Sequence, residues 1–423
     1  MNTIRKIILL VCCVAVVPAA AQRAYTLDEC REMALRENAR MKISRGDLSA
    51  AEQEKKEAFT NFLPSVSATG VGLIADDGLL QMAMGPGEKM KLVEDGLGVG
   101  VTATLPIYAG GMIYNGNKLA KIGVEVSELK LRQTENEVRL NVEQYYWQIV
   151  VLKEKLRTVE AVERQLARIA EDVTAAVDAG VTNRNDLLQV NLRKNDMQST
   201  RMDLDNTLAL CKMLLAQFVG AEQDSFDVAS SITDELPASP VALRTNHEAA
   251  LDSTPEYRLL NKNVEASKLQ KRMALGEHLP KVAVGGGYLY NDFMGPSQNN
   301  FLGFVSVSVP ISWKAPHSIK KQRYRYQNAV TQLEDGAEQL VIRMQKAWND
   351  LDNAYQQMLI AANSIEQSTE NLRLNEDYYK AGTSTMSDLL DAQTLFRQSH
   401  DRYAEAWSQY EIKKTEYLQA TGR

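Results

Sequence analysis

Across residues 97–107 apolar side chains occupy every second position, at Leu97, Val99, Val101, Ala103, Leu105 and Ile107, with Gly98, Gly100, Thr102 and Thr104 among those between. A two-residue period predicts a two-faced strand. Val305, Val307, Val309 and Ile311 repeat the pattern against Ser306 and Ser308. Residues 64–73 and 280–290 alternate less cleanly, interrupted by glycines. Four strands of about ten residues are expected, the length that crosses an outer membrane when tilted.

Elsewhere the period lengthens. Residues 111–177 contain no proline and carry Val138, Val142, Tyr145, Ile149, Leu152, Leu156 and Val159 in alternating steps of four and three. Met344, Trp348, Leu351, Tyr355, Met358, Ala362 and Ile365 take the same steps. This is a coiled-coil seam, and a helix of about 65 residues rises about 100 Å, so it must project away from the membrane. Two shorter helices are expected at 26–60 and 183–219, whose summed length about equals the long one, so that stacked end to end they could lie alongside it.

The chain is written twice. Phe62-Leu63-Pro64-Ser65-Val66 answers to His278-Leu279-Pro280-Lys281-Val282, and the strand ending Leu105-Pro106-Ile107 answers to the one ending Val309-Pro310-Ile311. Ala179-Gly180-Val181 with Asp186-Leu187-Leu188 answers to Ala381-Gly382-Thr383 with Asp388-Leu389-Leu390, and Gly220 and Gly422 close the two copies. Four landmarks recurring in one order identify an internal repeat. The expected division is a leader at 1–21, a first repeat at 22–220, a polar Pro-containing linker at 221–245, and a second repeat at 246–423.

Four strands cannot close on themselves, and an open sheet in lipid would leave edge groups unpaired at several kcal/mol each. Several copies are therefore expected to share one barrel, apolar side chains toward lipid and Gly, Ser and Thr toward the lumen. A soluble sandwich would need more strands, and a solvated coiled-coil stalk would explain the heptads without the strands.

The leader fits this picture. Arg5 and Lys6 precede an apolar run at 7–17 and the small residues Ala19-Ala20-Ala21, which read as a secretory signal peptide cut near Ala21. Cys12 and Cys13 lie inside the apolar run and leave with it, so no lipid anchor is expected. Net charge of −6 and 7% aromatic residues argue against nucleic acid as a partner. The remaining cysteines, Cys30 and Cys211, read as buried thiols, with one disulfide as the alternative.

Together the leader, the duplicated helix-strand-strand-helix unit and the Ala-Gly-x(5)-Asp-Leu-Leu turns resemble the TolC-like outer-membrane efflux family. The resemblance covers nearly the whole mature chain and is sharpest at Tyr379-Lys380-Ala381-Gly382-Thr383-Ser384-Thr385-Met386-Ser387-Asp388-Leu389-Leu390-Asp391-Ala392, which is similar to the family's periplasmic-tip turn. It implies a mixed α/β membrane protein: a homotrimer whose twelve-stranded barrel continues into a long α-helical periplasmic tunnel. It also implies an outer-membrane location in a Gram-negative cell and partnership with a periplasmic adaptor and an inner-membrane pump.

In that family acidic residues after the tip turn form the narrowest ring, and Asp388 and Asp391 match them. Their three-residue spacing places both carboxylates on one helix face. Six on one axis would attract cations, and their mutual repulsion would raise some of their pKa values. Spacing alone favours two solvated surface aspartates; it is the resemblance that points to the ring. Tyr379 and Asp186 match the network that holds the tip shut. An arginine of the family pattern is replaced here by Ser384, and Arg184, in the equivalent turn of the first repeat, is the candidate substitute. Gly180 and Gly382 occupy the positions where a left-handed residue ends a helix.

No other chemistry competes. His247, His278, His317 and His400 are dispersed, and neither HExxH nor Gly-x-Ser-x-Gly occurs. Gly85-Pro86-Gly87-Glu88-Lys89 lacks the spacing of a phosphate loop, and Gly285-Gly286-Gly287 falls within a predicted strand. Met82, Met84 and Met90 lie in the predicted outer loop at 75–96; thioethers suit Cu(I), but without histidines they are expected to be incidental. The expected function is a passive exit duct for small molecules, with no cofactor, no metal and no catalysis. Its rivals are the exit duct of a type I protein secretion system and, from another class, a periplasmic coiled-coil adaptor.

Overall fold

The computed structural model describes residues 24–423 except 75, 77, 78, 86, 87, 94, 223–225, 230, 231, 234 and 293–295. The leader therefore lies outside the described residues. In chain order the elements are α1 (Leu27–Glu37), α2 (Ala39–Thr60), β1 (Ser65–Leu73), β2 (Leu80–Gly85), β3 (Glu88–Val93), β4 (Gly96–Ala109), α3 (Met112–Asp178) and α4 (Arg184–Val219). After the linker come α5 (Pro255–Gly276), β5 (Lys281–Asn291), β6 (Gln298–Ser308), α6 (Ala315–Lys380) and α7 (Met386–Ala420). The repeated order of helix, two long strands, long helix and shorter helix is the duplication legible in the sequence. Among the described residues no helix is long and apolar enough to cross a membrane.

The chain divides into two compact units, residues 44–131 with 255–339, and the remainder. The first is built on an antiparallel sheet in the order β1-β4-β5-β6. Ser65 lies opposite Thr104, Val101 opposite Tyr288, and Tyr288 opposite Phe301, their rings 5.0 Å apart. The predicted alternation holds from Leu97 to Leu105; a shift of register between Pro106 and Tyr108 leaves Ile107 without a partner in β5, and the strand runs on to Ala109. In the second copy the strand ends earlier, at Ser308, so Val309 and Ile311 fall outside it. The ladder stops there because its partner β5 begins at Lys281, opposite Ser308. The glycine triad lies in β5 as expected, and the Phe304 ring covers Gly285 so closely that a Cβ there would meet it at 2.4 Å.

Valines at the sheet's outer face are not covered. Val66, Val101, Val305 and Val307 are all exposed, Val305 at 70%. A soluble sheet would bury such a face; a lipid-facing one leaves it open. Among the described residues the edges β1 and β6 carry no partner strand.

The segment expected as a plain loop at 75–96 contains the antiparallel hairpin β2–β3, which places Met82 opposite Met90. Its short strands and the Gly-Pro-Gly between them obscure the two-residue period that revealed the longer strands.

The other unit is helical. Val138, Val142, Ile149, Leu152 and Val159 are buried as the seam predicts, as are Met344, Trp348, Leu351 and Met358 in the second copy. The single helix expected at 26–60 is two. Asn38 breaks it in an extended conformation, its side chain donating to Phe218 O (2.9 Å) and accepting from Arg40 N (2.9 Å). Ahead of it, Thr26 and Glu29 form a reciprocal capping box at the start of α1. Linker residues pair in parallel with the chain's start, Ala24 with Asp227 and Tyr25 with Val228. Asp227 is held there by Lys153 (2.7 Å) and Lys212 (2.9 Å). Cys30 and Cys211 are both buried and free.

Candidate functional site

The two turns that join α3 to α4 and α6 to α7 lie in the helical unit and are built alike. Gly180 has φ +73° and Gly382 φ +70°, with nothing within 4 Å of the position a Cβ would occupy, so the backbone conformation alone selects glycine. Each turn closes with a wide backbone bond, Val181 N to Ala176 O (2.8 Å) and Thr383 N to Tyr378 O (2.9 Å). A polar side chain then starts the next helix: Asn183 accepts from Asp186 N (3.2 Å), and Thr385 from Asp388 N (3.2 Å).

The aspartates that follow are both engaged by their own turns. Asp186 accepts the Thr182 hydroxyl at 2.6 Å. Asp388 accepts the Thr385 hydroxyl (2.6 Å), the Thr385 N–H (2.9 Å) and the Ser384 hydroxyl (3.2 Å), completing a capping box. Those Thr385 donors hold the Asp388 carboxyl below its ordinary 3.8. Within one chain, then, the shift runs opposite to that expected of converging carboxylates. Asp388 and Asp391 are both exposed, while Leu389, Leu390, Ala392 and Gln393 beside them are buried.

Tyr379 and Asp186 are brought together. Tyr379 packs against an apolar cluster that includes Leu166, Val173, Leu372, Met386 and Leu389. Its hydroxyl pKa is pushed up by burial and by the Asp186 charge, while a hydrogen bond with Thr182 opposes the rise. Arg184 is exposed at the first position of α4.

Three contributors carried no signal in the sequence. Gln165 of α3 donates to the Glu376 carboxylate of α6. Arg193 of α4 donates to Leu390 O (3.3 Å) and to the Thr394 hydroxyl of α7. Thr182 joins Asp186 and Tyr379. These bonds tie the helical hairpin of the first repeat to that of the second, across a groove of about 1040 Å³ lined by Gln165, Asp172, Asp186, Glu376 and Tyr379 among others. What the arrangement can do is hold two hairpins together or release them.

Comparison with known proteins bears on the family and the fold. The family model described as outer membrane efflux protein matches residues 30–220 and 247–423. The outer membrane protein VceC of Vibrio cholerae superposes with a TM-score of 0.75 at 15% identity, covering 94% of this chain and 96% of that one. CusC, described in relation to transmembrane channel formation, gives 0.79 at 14% identity, with 96% and 95% covered. The MtrE outer membrane channel of Neisseria gonorrhoeae, in its open state, gives 0.74 at 15% identity, with 94% and 88% covered. No curated protein matches the sequence directly. At such identities the structures establish the fold, and the match over both repeats establishes the kinship: the chain belongs to the outer membrane efflux protein family.

Proposed function

We propose that three copies of this chain form an exit duct in the outer membrane of a Gram-negative cell, and that small molecules leave through it passively. The observation that carries this reading is the four-stranded sheet, open at β1 and β6 and apolar on its exposed face. Pairing β6 of one copy with β1 of the next closes a barrel and satisfies every edge group. An adaptor would have no use for such a sheet.

Opening takes place at the tip turns, where a periplasmic adaptor and an inner-membrane pump shift the balance between hairpins held and hairpins released. Asp388 and Asp391 form the constriction, with Tyr379, Asp186 and Arg184 in the surrounding network and Gly180 and Gly382 shaping the turns. The exposure of both carboxylates in the single chain supports this, since a ring on a common axis needs side chains free to converge. Energy for export comes from the pump, the duct contributing no chemistry of its own.

Single-channel conductance in planar bilayers tests the reading. Wild type gives a small cation-selective current, and Asp388→Asn with Asp391→Asn gives a larger, less selective one. Asparagine is preferred to alanine at Asp388 because it keeps an oxygen for the Thr385 donors, separating the ring charge from the helix cap. A well-folded protein that conducts nothing in either form sinks the duct; an unchanged current moves the constriction elsewhere.

A further inference from the structure

In a chain of net charge −6, the stretch between Asp292 and Glu334 contains no acidic residue and carries Lys314, Lys320, Lys321, Arg323 and Arg325. All five are exposed. Lys314 stands just before α6, a few residues past the end of β6, and the other four occupy the first turns of α6, which has no acidic residue in its first turn. Helix stability does not explain them, because cations at a helix start oppose its dipole. Lys314, His317, Lys321 and Arg325 fall at spacings that place them along one helical face.

Immediately before them stand two apolar side chains with nothing over them, Ile311 at 95% exposure and Trp313 at 96%. A tryptophan beside the end of a lipid-facing strand, followed by lysines and arginines, is the arrangement by which proteins anchor at the headgroup level. The neighbouring helix adds to it. Lys268 and Arg272 of α5 are exposed, and Lys271 lies over the Tyr326 ring of α6 at 5.0 Å. Lys320 lies over Tyr324 at 6.0 Å. The segment of the first repeat that answers to 314–325, residues 110–121, carries two lysines, Lys118 and Lys121, against five basic residues here, so the charge is concentrated in the second repeat.

We propose that this face binds the headgroups of anionic phospholipids in the inner leaflet of the outer membrane, with Trp313 and Ile311 seated in the boundary between headgroup and acyl chain. The inference rests on the duct reading for its membrane orientation. Charge complementarity selects the occupant: clustered lysines and arginines beside a membrane surface recognise negative lipid, whereas a zwitterionic headgroup offers no net gain.

The test is native mass spectrometry of the full-length protein, purified in mild detergent and offered equal amounts of phosphatidylglycerol and phosphatidylethanolamine. Wild type retains phosphatidylglycerol with a preference of about tenfold. The variant Lys314→Gln with Lys321→Gln and Arg325→Gln falls to about twofold or less. The charge-conserving Lys314→Arg with Lys321→Arg and Arg325→Lys keeps the preference, which separates loss of charge from loss of fold. Equal retention of the two lipids by wild type overturns the proposal, as does an undiminished preference in the neutral variant. Conductance of the same samples supplies the remaining arm. A neutral variant that changes ion selectivity while its lipid preference stays put shows that these cations line the pore, which also overturns it. Failure of wild type to conduct would instead remove the duct reading, whatever the lipid result.

Discussion

Gly110 and Gly276 approach so closely that a Cβ on Gly110 would lie 2.1 Å from the Gly276 carbonyl oxygen, and a Cβ on Gly276 2.2 Å from that of Gly110. Gly110 also has φ +62° and stands just past the end of β4, while Gly276 ends α5. Backbone meets backbone here, with no side chain able to yield.

Alanine at either position should cost at least about 2 kcal/mol, through strain at positive φ in one case and backbone collision in both. Gly46→Ala, in a helix with nothing within 4 Å, should be neutral or stabilising. Thermal denaturation of the three variants checks the contrast; equal melting would mean the close approach is not maintained.

Gln165→Leu combined with Tyr379→Phe should open the tip. Each change removes one hydrogen bond between the hairpins, worth on the order of 1 kcal/mol net, so the pair should shift the held-to-released ratio by about 30-fold. Longer open dwell times in single-channel records are the readout. Records matching wild type would show that the apolar cluster around Leu166 and Leu389 holds the hairpins unaided.

Arg31 is ion-paired with Glu143, whose side chain is 1% exposed, while Arg31 retains 30%. Burial pushes the Glu143 carboxyl above its ordinary 4.5, against the opposing hydrogen bonds from Thr415 and Arg31 and the Arg31 charge. A carboxyl raised on folding holds its proton more tightly in the folded chain, so its contribution to stability falls as pH rises from 4.5 through the folded value. Arg31→Met removes a lowering influence and should widen that window, costing about 2 kcal/mol at pH 7 and less as pH approaches 4.5. Denaturant titrations at the two pH values decide it; a deficit independent of pH would assign Arg31 a packing role only.

Cys30 is fully buried, and burial pushes its thiol up to about 12; the Cys211 thiol is raised by the same cause. Neither should react with a maleimide in the folded protein at pH 8, and both should react after denaturation. A non-reducing gel should show no change on adding reductant. A shifted band would instead reveal a bond between them.

The long strands and the coiled-coil seams could be read from the chain because each is a periodic pattern sustained over many residues, from Leu97 to Ile107 or from Val138 to Val159. What escaped has no period. The break at Asn38 depends on a bond to Phe218 O, and the pairing of Ala24 with Asp227 is too short to alternate. Gln165 and Glu376 stand 211 positions apart, each an ordinary polar residue on a helix until the fold sets them face to face. The tip was legible in part for the opposite reason. Gly180, Gly382 and the polar residues after them are local instructions, and both repeats spell them, whereas no such instruction joins Arg184 to a partner.

The open edges of the sheet carry a further consequence. A barrel completed only by other copies makes membrane insertion a reaction of several molecules rather than of one. Its yield must then depend on how many chains are present at once, while the helical unit, with its own buried core, can fold as each chain arrives. Chains at low density should accumulate with helices formed and strands waiting.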